Sequence, residues 1–261
     1  VIENGVDAVV ELIGGSDPAR RFIRDSIVNR KHVVTANKAV LSRAGRDLLD
    51  LAAVHGVQLR FEASVCGAIP IVRVIHQALA GDHITAVRGV VNGTCNFILS
   101  RMANEGLDFD AALRLAQEKG FAEADAALDV DGIDAAQKIA ILAQLAFGGR
   151  ETQWLRQEGI RGIARNDLHR ASARGAVIRL VAAARLNGDL VELSVGPEEV
   201  RKEDALAAAR DEINAVAVEA EGAGELLFYG RGAGSLPSAA SVLADVVEIA
   251  SSAVRSGPDP R

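Results

Sequence analysis

Cysteine is nearly missing from this chain, which excludes a thiolate-built metal centre. Cys66 and Cys95 are the only two; two thiols cannot enclose a zinc ion, and their separation matches no zinc-ligand spacing, so both read as reduced packing residues. The histidines, His32, His55, His76, His83 and His169, are scattered without an H-E-x-x-H pattern, which argues against a histidine metal site. An excess of basic charge is lacking too. With 29 Lys and Arg against 35 Asp and Glu, a net charge of -6 and a pI near 5.5, there is no electrostatic footprint for nucleic acid. Long apolar runs are also lacking, because each stretch is interrupted by charge or is too short to span a bilayer. The opening VIENGVDAVVELIGG has neither a basic n-region nor a cleavage site, so a cytoplasmic location is expected.

What is present suits a soluble globular protein. The 261 residues are 49% hydrophobic, enough for one large or two modest cores. Residues 7–13 (DAVVELI) form an apolar run closed by Gly14 and Gly15, as a buried parallel strand does, and Pro18 starts an amphipathic run to residue 30. A strand at 32–35, a helix at 41–55 and a strand at 57–62 follow. Strands alternating with helices predict a doubly wound, Rossmann-like parallel sheet. Beyond Gly67 and Pro70 the pattern predicts a helix at 71–80, a strand at 83–93, a turn at 92–96 (NGTCN), and helices at 97–104 and 107–120. Residues 150–168 read as a loop with short helical turns. Residues 171–195 give helix, strand, an Asn187-Gly188 hairpin turn and strand, with further strands at 213–219 and 225–230. The fold class is therefore α/β: a partial Rossmann-like sheet over 1–62, then an α+β unit over 63–234 with a mixed sheet broad enough to continue across a twofold axis, suggesting a homodimer. A helix over 235–252 and a disordered tail over 256–261 close the chain.

The G-x-G-x-x-G turn that holds a pyrophosphate at a helix N-terminus is absent. GRGAG at 230–234 is no substitute, since no βαβ unit surrounds it. We expect the chain to begin partway through the sheet, because half a sheet leaves a long strand edge unpaired.

The stretch 117–147 (QEKGFAEADAALDVDGIDAAQKIAILAQLAF) concentrates six carboxylates and two lysines. Glu123, Asp125, Asp129 and Asp131, between Gly120 and Gly132, belong to a loop. From Ile133 the apolar residues recur at helical spacing, setting Asp134 and Lys138 one turn apart. Such a pair is commonly a solvated helix face contributing a few tenths of a kcal/mol. The apolar surroundings of Lys138 instead suggest a buried helix, where desolvation lowers its pKa and fits it for acid-base work near neutral pH.

Asn37 and Lys38 follow the C-terminal end of a strand, where open α/β sheets place ligands; a helix N-cap beside an exposed lysine explains them equally. Gly93 and Thr94 begin a helix, a place for a substrate carboxylate or simply a cap. Asp129, Asp131 and Asp134 could form a sparse divalent-metal cage, although the nearby lysine competes for the same oxygens.

The stretch 117–147, VVNGTCNFIL at 90–99 and VVTANKAVL at 33–41 together resemble homoserine dehydrogenase, in order and over nearly the whole chain. The resemblance implies reversible oxidation of L-homoserine to L-aspartate 4-semialdehyde with NADP or NAD, on the route to threonine, methionine and isoleucine. It implies Lys138 as the group that takes the hydroxyl proton, positioned by Asp134, with Lys38 sharing the proton work. Glu123, backed by Asp129 and Asp134, would bind the substrate ammonium, and Gly93 and Thr94 its carboxylate. Lys38, Asn37, Gly15, Gly120 and Gly234 would lie along the cofactor, and the helix at 235–252 would return to the cofactor unit. Phe121 stands where some members carry tyrosine and offers no hydroxyl. Glu62, Val65, Gly67 and Ile69 would bind a monovalent cation, Na+ or K+, at a turn where Cys66 replaces the usual small residue; without the resemblance this turn reads as a plain crossover. Two other readings are another amino-acid dehydrogenase of similar build and a truncated, non-catalytic dimeric homologue.

Overall fold

In a computed structural model, residues 5–255 are described, with side chains through 252. The expectation of a disordered tail at 256–261 lies outside them. The first sheet is three-stranded and parallel, with β1 (Ala8–Glu11), β2 (His32–Thr35) and β3 (Leu59–Arg60) in that order. Helix α1 (Asp17–Val28) has Pro18 in its first turn, where its fixed φ suits the helix, and buries Ala19, Ile23 and Ile27 along one stripe. Helix α2 (Lys38–His55) is capped by Asn37, whose Oδ1 accepts from the Val40 amide at 3.2 Å, and ends where Gly56 turns left-handed at φ 66.

A 3-10 turn (Glu62–Ser64) leads to α3 (Ile71–Arg73), which continues as a π-helical turn over Val74–Ala78. The chain then builds β4 (Ile84–Val90), α4 (Gly93–Glu105), α5 (Phe109–Glu118), the short α6 (Ala127–Val130) and α7 (Ile133–Phe147). After these come β5 (Thr152–Gln157), α8 (Arg165–Ala173), β6 (Ala176–Asn187), β7 (Leu190–Arg201), a 3-10 turn (Ala205–Ala208), β8 (Ile213–Ala220), β9 (Gly224–Arg231) and α9 (Ser235–Arg255). The second sheet has the order β5-β7-β6-β4-β8-β9, with β5 parallel to β7 and every other pair antiparallel, so it is mixed.

Helix α7 joins the two sheets. It buries residues on nearly every side, including Ile139, Ile141, Leu142 and Phe147, because it packs against α2 on one flank and against β4, β6 and β7 on another. Gly45 of α2 faces Gln144 of α7, whose Oε1 would lie 2.8 Å from a Cβ at that position. Helix α9 lies on β2 and on the Glu62–Ser64 turn, where Asp245 Oδ2 accepts from the Glu62 amide at 2.9 Å.

Several elements differ from their sequence patterns. The run 7–13 is paired on one side only, and Val10, Leu12 and Ile13 are exposed rather than buried. The strand expected at 57–62 shortens to β3, because Glu62 turns into the 3-10 turn and its carboxylate receives the amides that open α3. The helix expected at 71–80 widens into a π turn. Residues 150–168, expected as a loop with short helical turns, contain the edge strand β5, exposed throughout, ahead of the start of α8. Asp129 lies on α6 rather than in a loop. The hairpin turn is one residue later than expected: Asn187 pairs with Leu190, and Gly188 takes the left-handed position at φ 61.

Candidate active site

The centre of the site is one carboxylate held by two ammonium groups. Asp134 is 5% exposed and Lys138 8%. One turn apart on α7, they are joined at 2.8 Å through Oδ2, while Lys38, at the first turn of α2, reaches Oδ1 at 3.0 Å. Lys138 Nζ also donates to the Val91 carbonyl at 2.7 Å, and that carbonyl accepts from Asn214 Nδ2 at 3.0 Å. Burial alone would push the Asp134 carboxyl up, but Lys138 and Lys38 outweigh it and hold it down to about 2. Burial likewise opposes the charge on Lys138, yet Asp134 overrides it and the ammonium is raised above its ordinary value. The expected lowering of the Lys138 pKa is therefore overturned: this lysine is protonated at neutral pH and can give a proton.

Asn92 organises the acids. Its Nδ2 donates to Asp129 Oδ1 at 2.7 Å and to Asp134 Oδ2 at 2.8 Å, while its Oδ1 accepts from the Cys95 amide at 2.8 Å and caps α4. Burial raises the Asp129 carboxyl despite this amide. Burial also raises Cys95 far above the usual thiol range, with Asp129 adding to it, which leaves the thiol inert. Asp131 turns outward to Arg161. Asp129, Asp131 and Asp134 thus do not converge as a divalent-metal cage, and among the described residues no group of His, Cys, Asp and Glu does.

The remaining candidates surround this core. Thr94 Oγ1 donates to the Phe121 carbonyl at 2.7 Å, tying the start of α4 to the loop after Gly120, which is left-handed at φ 75. Gly93 permits a close approach, since a Cβ would meet the Glu212 carbonyl oxygen at 2.9 Å. Glu123 is exposed, and its carboxylate makes no ion pair among the described residues; its backbone carbonyl accepts from Gln117 Nε2 at 3.1 Å. Asn37 Nδ2 donates to the Gly15 carbonyl at 2.9 Å, joining the loops after β1 and β2, and beneath it Thr35 Oγ1 donates to the buried Glu11 at 2.7 Å. Gly234, at φ 120, immediately precedes α9.

At the crossover, Glu62 is 3% exposed and accepts from the Val72 and Arg73 amides, both at 2.9 Å. Burial pushes its carboxyl up to about 7 against those bonds. Cys66 and Gly67 are both left-handed, and the Gly67 and Ile69 carbonyls each already accept one hydrogen bond, from Ser241 Oγ and the Ile71 amide.

Sequence reasoning passed over Asn92, Val91 and Asn214 as site residues. For Asn92 a signal existed, since an Asn preceding a helical run is a cap; its bridging of two acids has no local signature.

Two family models cover most of the chain: one described as homoserine dehydrogenase matches residues 70–247, and one described as the NAD binding domain of homoserine dehydrogenase matches residues 1–62. The chain belongs to the homoserine dehydrogenase family. The Synechocystis homoserine dehydrogenase is 44% identical over all of this chain and 61% of its own length, and the Bacillus subtilis enzyme is 42% identical over 94% and 57%. The chain thus spans about three fifths of the length of these curated relatives. Among solved structures, the homoserine dehydrogenase of Thiobacillus denitrificans superposes with a TM-score of 0.91 at 40% identity, over 95% of this chain and 58% of that one. A hyperthermophilic archaeal homoserine dehydrogenase in complex with NADPH superposes at 0.81 with 28% identity, over 98% and 73%.

Proposed function

We propose that the protein containing this chain interconverts L-homoserine and L-aspartate 4-semialdehyde with NADP or NAD, in threonine, methionine and isoleucine biosynthesis. The observation that carries the reading is Asp134 holding Lys138 and Lys38 together. When bound, the nicotinamide supplies or accepts the hydride. The protein's own part is the proton. Lys138, held protonated, donates to the oxygen that becomes the hydroxyl of homoserine, and takes that proton back in the reverse direction. Lys38, with 40% of its side chain exposed, connects Asp134 to solvent and restores the charge balance after each transfer. Glu123, backed by Asp129 and Asp134, faces the substrate ammonium, and Gly93 and Thr94 its carboxylate.

Asn37, Gly15, Lys38, Gly120 and Gly234 would hold the cofactor; the loops after β1 and β2, joined through Asn37, are where such sheets bind ligands. The archaeal relative solved with NADPH supports a nicotinamide cofactor. Residues 1–62 with α9 would form the cofactor unit, and 63–234 the substrate and dimer unit. A monovalent cation fits Glu62, Val65, Gly67 and Ile69: the cation bearing on Glu62, Arg73, is already paired with Asp245 and Glu248, and the carbonyls that accept one hydrogen bond keep a second lone pair. The edge strands β5 and β9, exposing Trp154, Leu155, Leu227 and Tyr229, favour a homodimer. No helix among the described residues is long and apolar enough to cross a membrane, which fits a cytoplasmic enzyme.

The test is NAD(P)H formation by the full-length gene product with L-homoserine, against L-serine, L-threonine and L-malate. Turnover confined to homoserine is expected; equal turnover of another hydroxy acid, or none with any, would sink the reading.

A further inference from the structure

A cavity of about 510 Å³ lies between the C-terminal half of α4, α8, the start of β6 and the Ala205–Ala208 turn. Arg179, Lys202, Arg210 and His169 line it, and no carboxylate does. Among the described residues neither Arg179, Lys202 nor Arg210 takes part in an ion pair. The acid that bears on Arg179, Asp211, is itself held by Arg101.

Arg179 is 5% exposed. Its Nη1 and Nη2 each give one hydrogen bond to a carbonyl, of Ile178 at 3.2 Å and of Ala207 at 3.3 Å, while the buried Nε has no partner. Burial, with the neighbouring Arg210 second, pushes the guanidinium down to about 10, so it remains charged at neutral pH. A buried cation with an idle donor and no ion-pair partner is costly unless an anion completes it. The planar guanidinium suits two oxygens of one oxyanion, and the volume falls within the range of small-molecule sites.

We propose that this cavity binds a small molecule bearing two or more oxyanion groups, carboxylate or phosphate, with Arg179 at its floor and Lys202 and Arg210 at its rim. The site is separate from the candidate active site. Asn92 and Thr94 stand at the opening of α4, whereas the cavity meets that helix at Ser100, Met102, Ala103 and Asn104, roughly 12 Å along its axis.

The experiment titrates the full-length protein, saturated with NADPH, with inorganic pyrophosphate and with citrate, by calorimetry and thermal melting, against sodium chloride at equal ionic strength. At a hundred times Kd, a specific anion raises Tm by about 3 °C in a protein of the relatives' length. Binding of either probe supports the site, pyrophosphate alone indicating a phosphate ligand and citrate alone a polycarboxylate. Arg179→Met should abolish the heat and the shift, and the rim double variant Lys202→Gln/Arg210→Gln should weaken Kd about tenfold or more. If Arg179→Met does not fold, the rim variant decides. No binding by either probe, a shift matched by chloride, or affinity unchanged in the variants would overturn the proposal. Because the readout is binding with the cofactor already present, it stands or fails independently of turnover.

Discussion

Lys138 and Asp134 form an ion pair at 2.8 Å in which both partners are nearly excluded from water, and each has a second partner as well. Asp134 keeps Lys38 and Asn92, and the Val91 carbonyl below Lys138 keeps Asn214. A substitution at Lys138 therefore does not leave a bare charge in the core. This arrangement allows chemistry and stability to be separated by mutation.

Lys138→Met is expected to fold, at a cost of roughly 1–3 kcal/mol, below the 3–5 kcal/mol typical of breaking a buried pair whose surviving partner is left alone. Turnover should fall by about 10²–10⁴, the usual contribution of a positioned acid or base, with NADPH affinity changed by less than about twofold. Steady-state kinetics beside fluorescence titration of NADPH provides the check. Turnover near wild type would remove Lys138 from the proton step.

The same pair fixes a pH dependence of stability. The Asp134 carboxyl, normally near 3.8, is held down to about 2 in the folded protein. A depressed carboxyl contributes stability that is present above its unfolded value and lost as pH falls through its folded one, here between about 4 and about 2; the contribution is roughly 2 kcal/mol. Lys138, raised above its ordinary value, contributes below the unfolded lysine value and loses that contribution as pH rises through its folded one. Denaturant unfolding of wild type and Asp134→Asn at pH 2, 3, 4 and 7 should show the gap between them closing on the acid side. A gap that stays constant down to pH 2 would contradict the assignment.

Asn92 carries two duties that different substitutions can divide. Asn92→Ala removes both the cap on α4 and the amide shared by Asp129 and Asp134, and should cost roughly 2 kcal/mol as well as about tenfold or more in kcat. Asn92→Ser retains an oxygen for the Cys95 amide, so about 1 kcal/mol should return, but it has no N–H pair for the acids and kcat should stay low. Recovery of full activity in the serine variant would show that only the cap matters.

What the sequence made legible followed from one-sided burial. Ala19, Ile23 and Ile27 announced α1, and the apolar spacing after Ile133 announced α7, because a repeating contact with a core leaves a period in the chain. Every residue of the edge strand β5 is exposed, so it left no such period. Burial of Lys138 was readable, but the direction of its pKa was not: that depends on where Asp134 points. Lys38 and Asn92 reach the same carboxylate from distant segments, a convergence that the packing of α2 on α7 and of α4 beside α6 creates.

The position of Asp134 also rests on a glycine. Gly132, immediately before α7, sits at φ 78, and a Cβ there would lie 2.9 Å from the Glu158 carbonyl oxygen and 3.2 Å from Val195 Cγ1. Alanine at this position meets two penalties at once. The left-handed backbone costs an L-residue about 1 kcal/mol, and the contact with Glu158 involves main chain, which cannot rotate aside as a long side chain does. Because Gly132 is the residue from which α7 starts, relief of the clash must come from moving the first turn of that helix, and Asp134 is on that turn. Gly132→Ala should therefore lose roughly 2–4 kcal/mol and, unlike a purely structural defect, should lower kcat at temperatures well below its melting point, because a shift of about 1 Å at Asp134 disturbs both lysines. Kinetics at 15 °C on a variant shown by circular dichroism to be folded distinguishes the outcomes: wild-type kcat in the folded variant would mean that α7 absorbs the clash without moving its carboxylate.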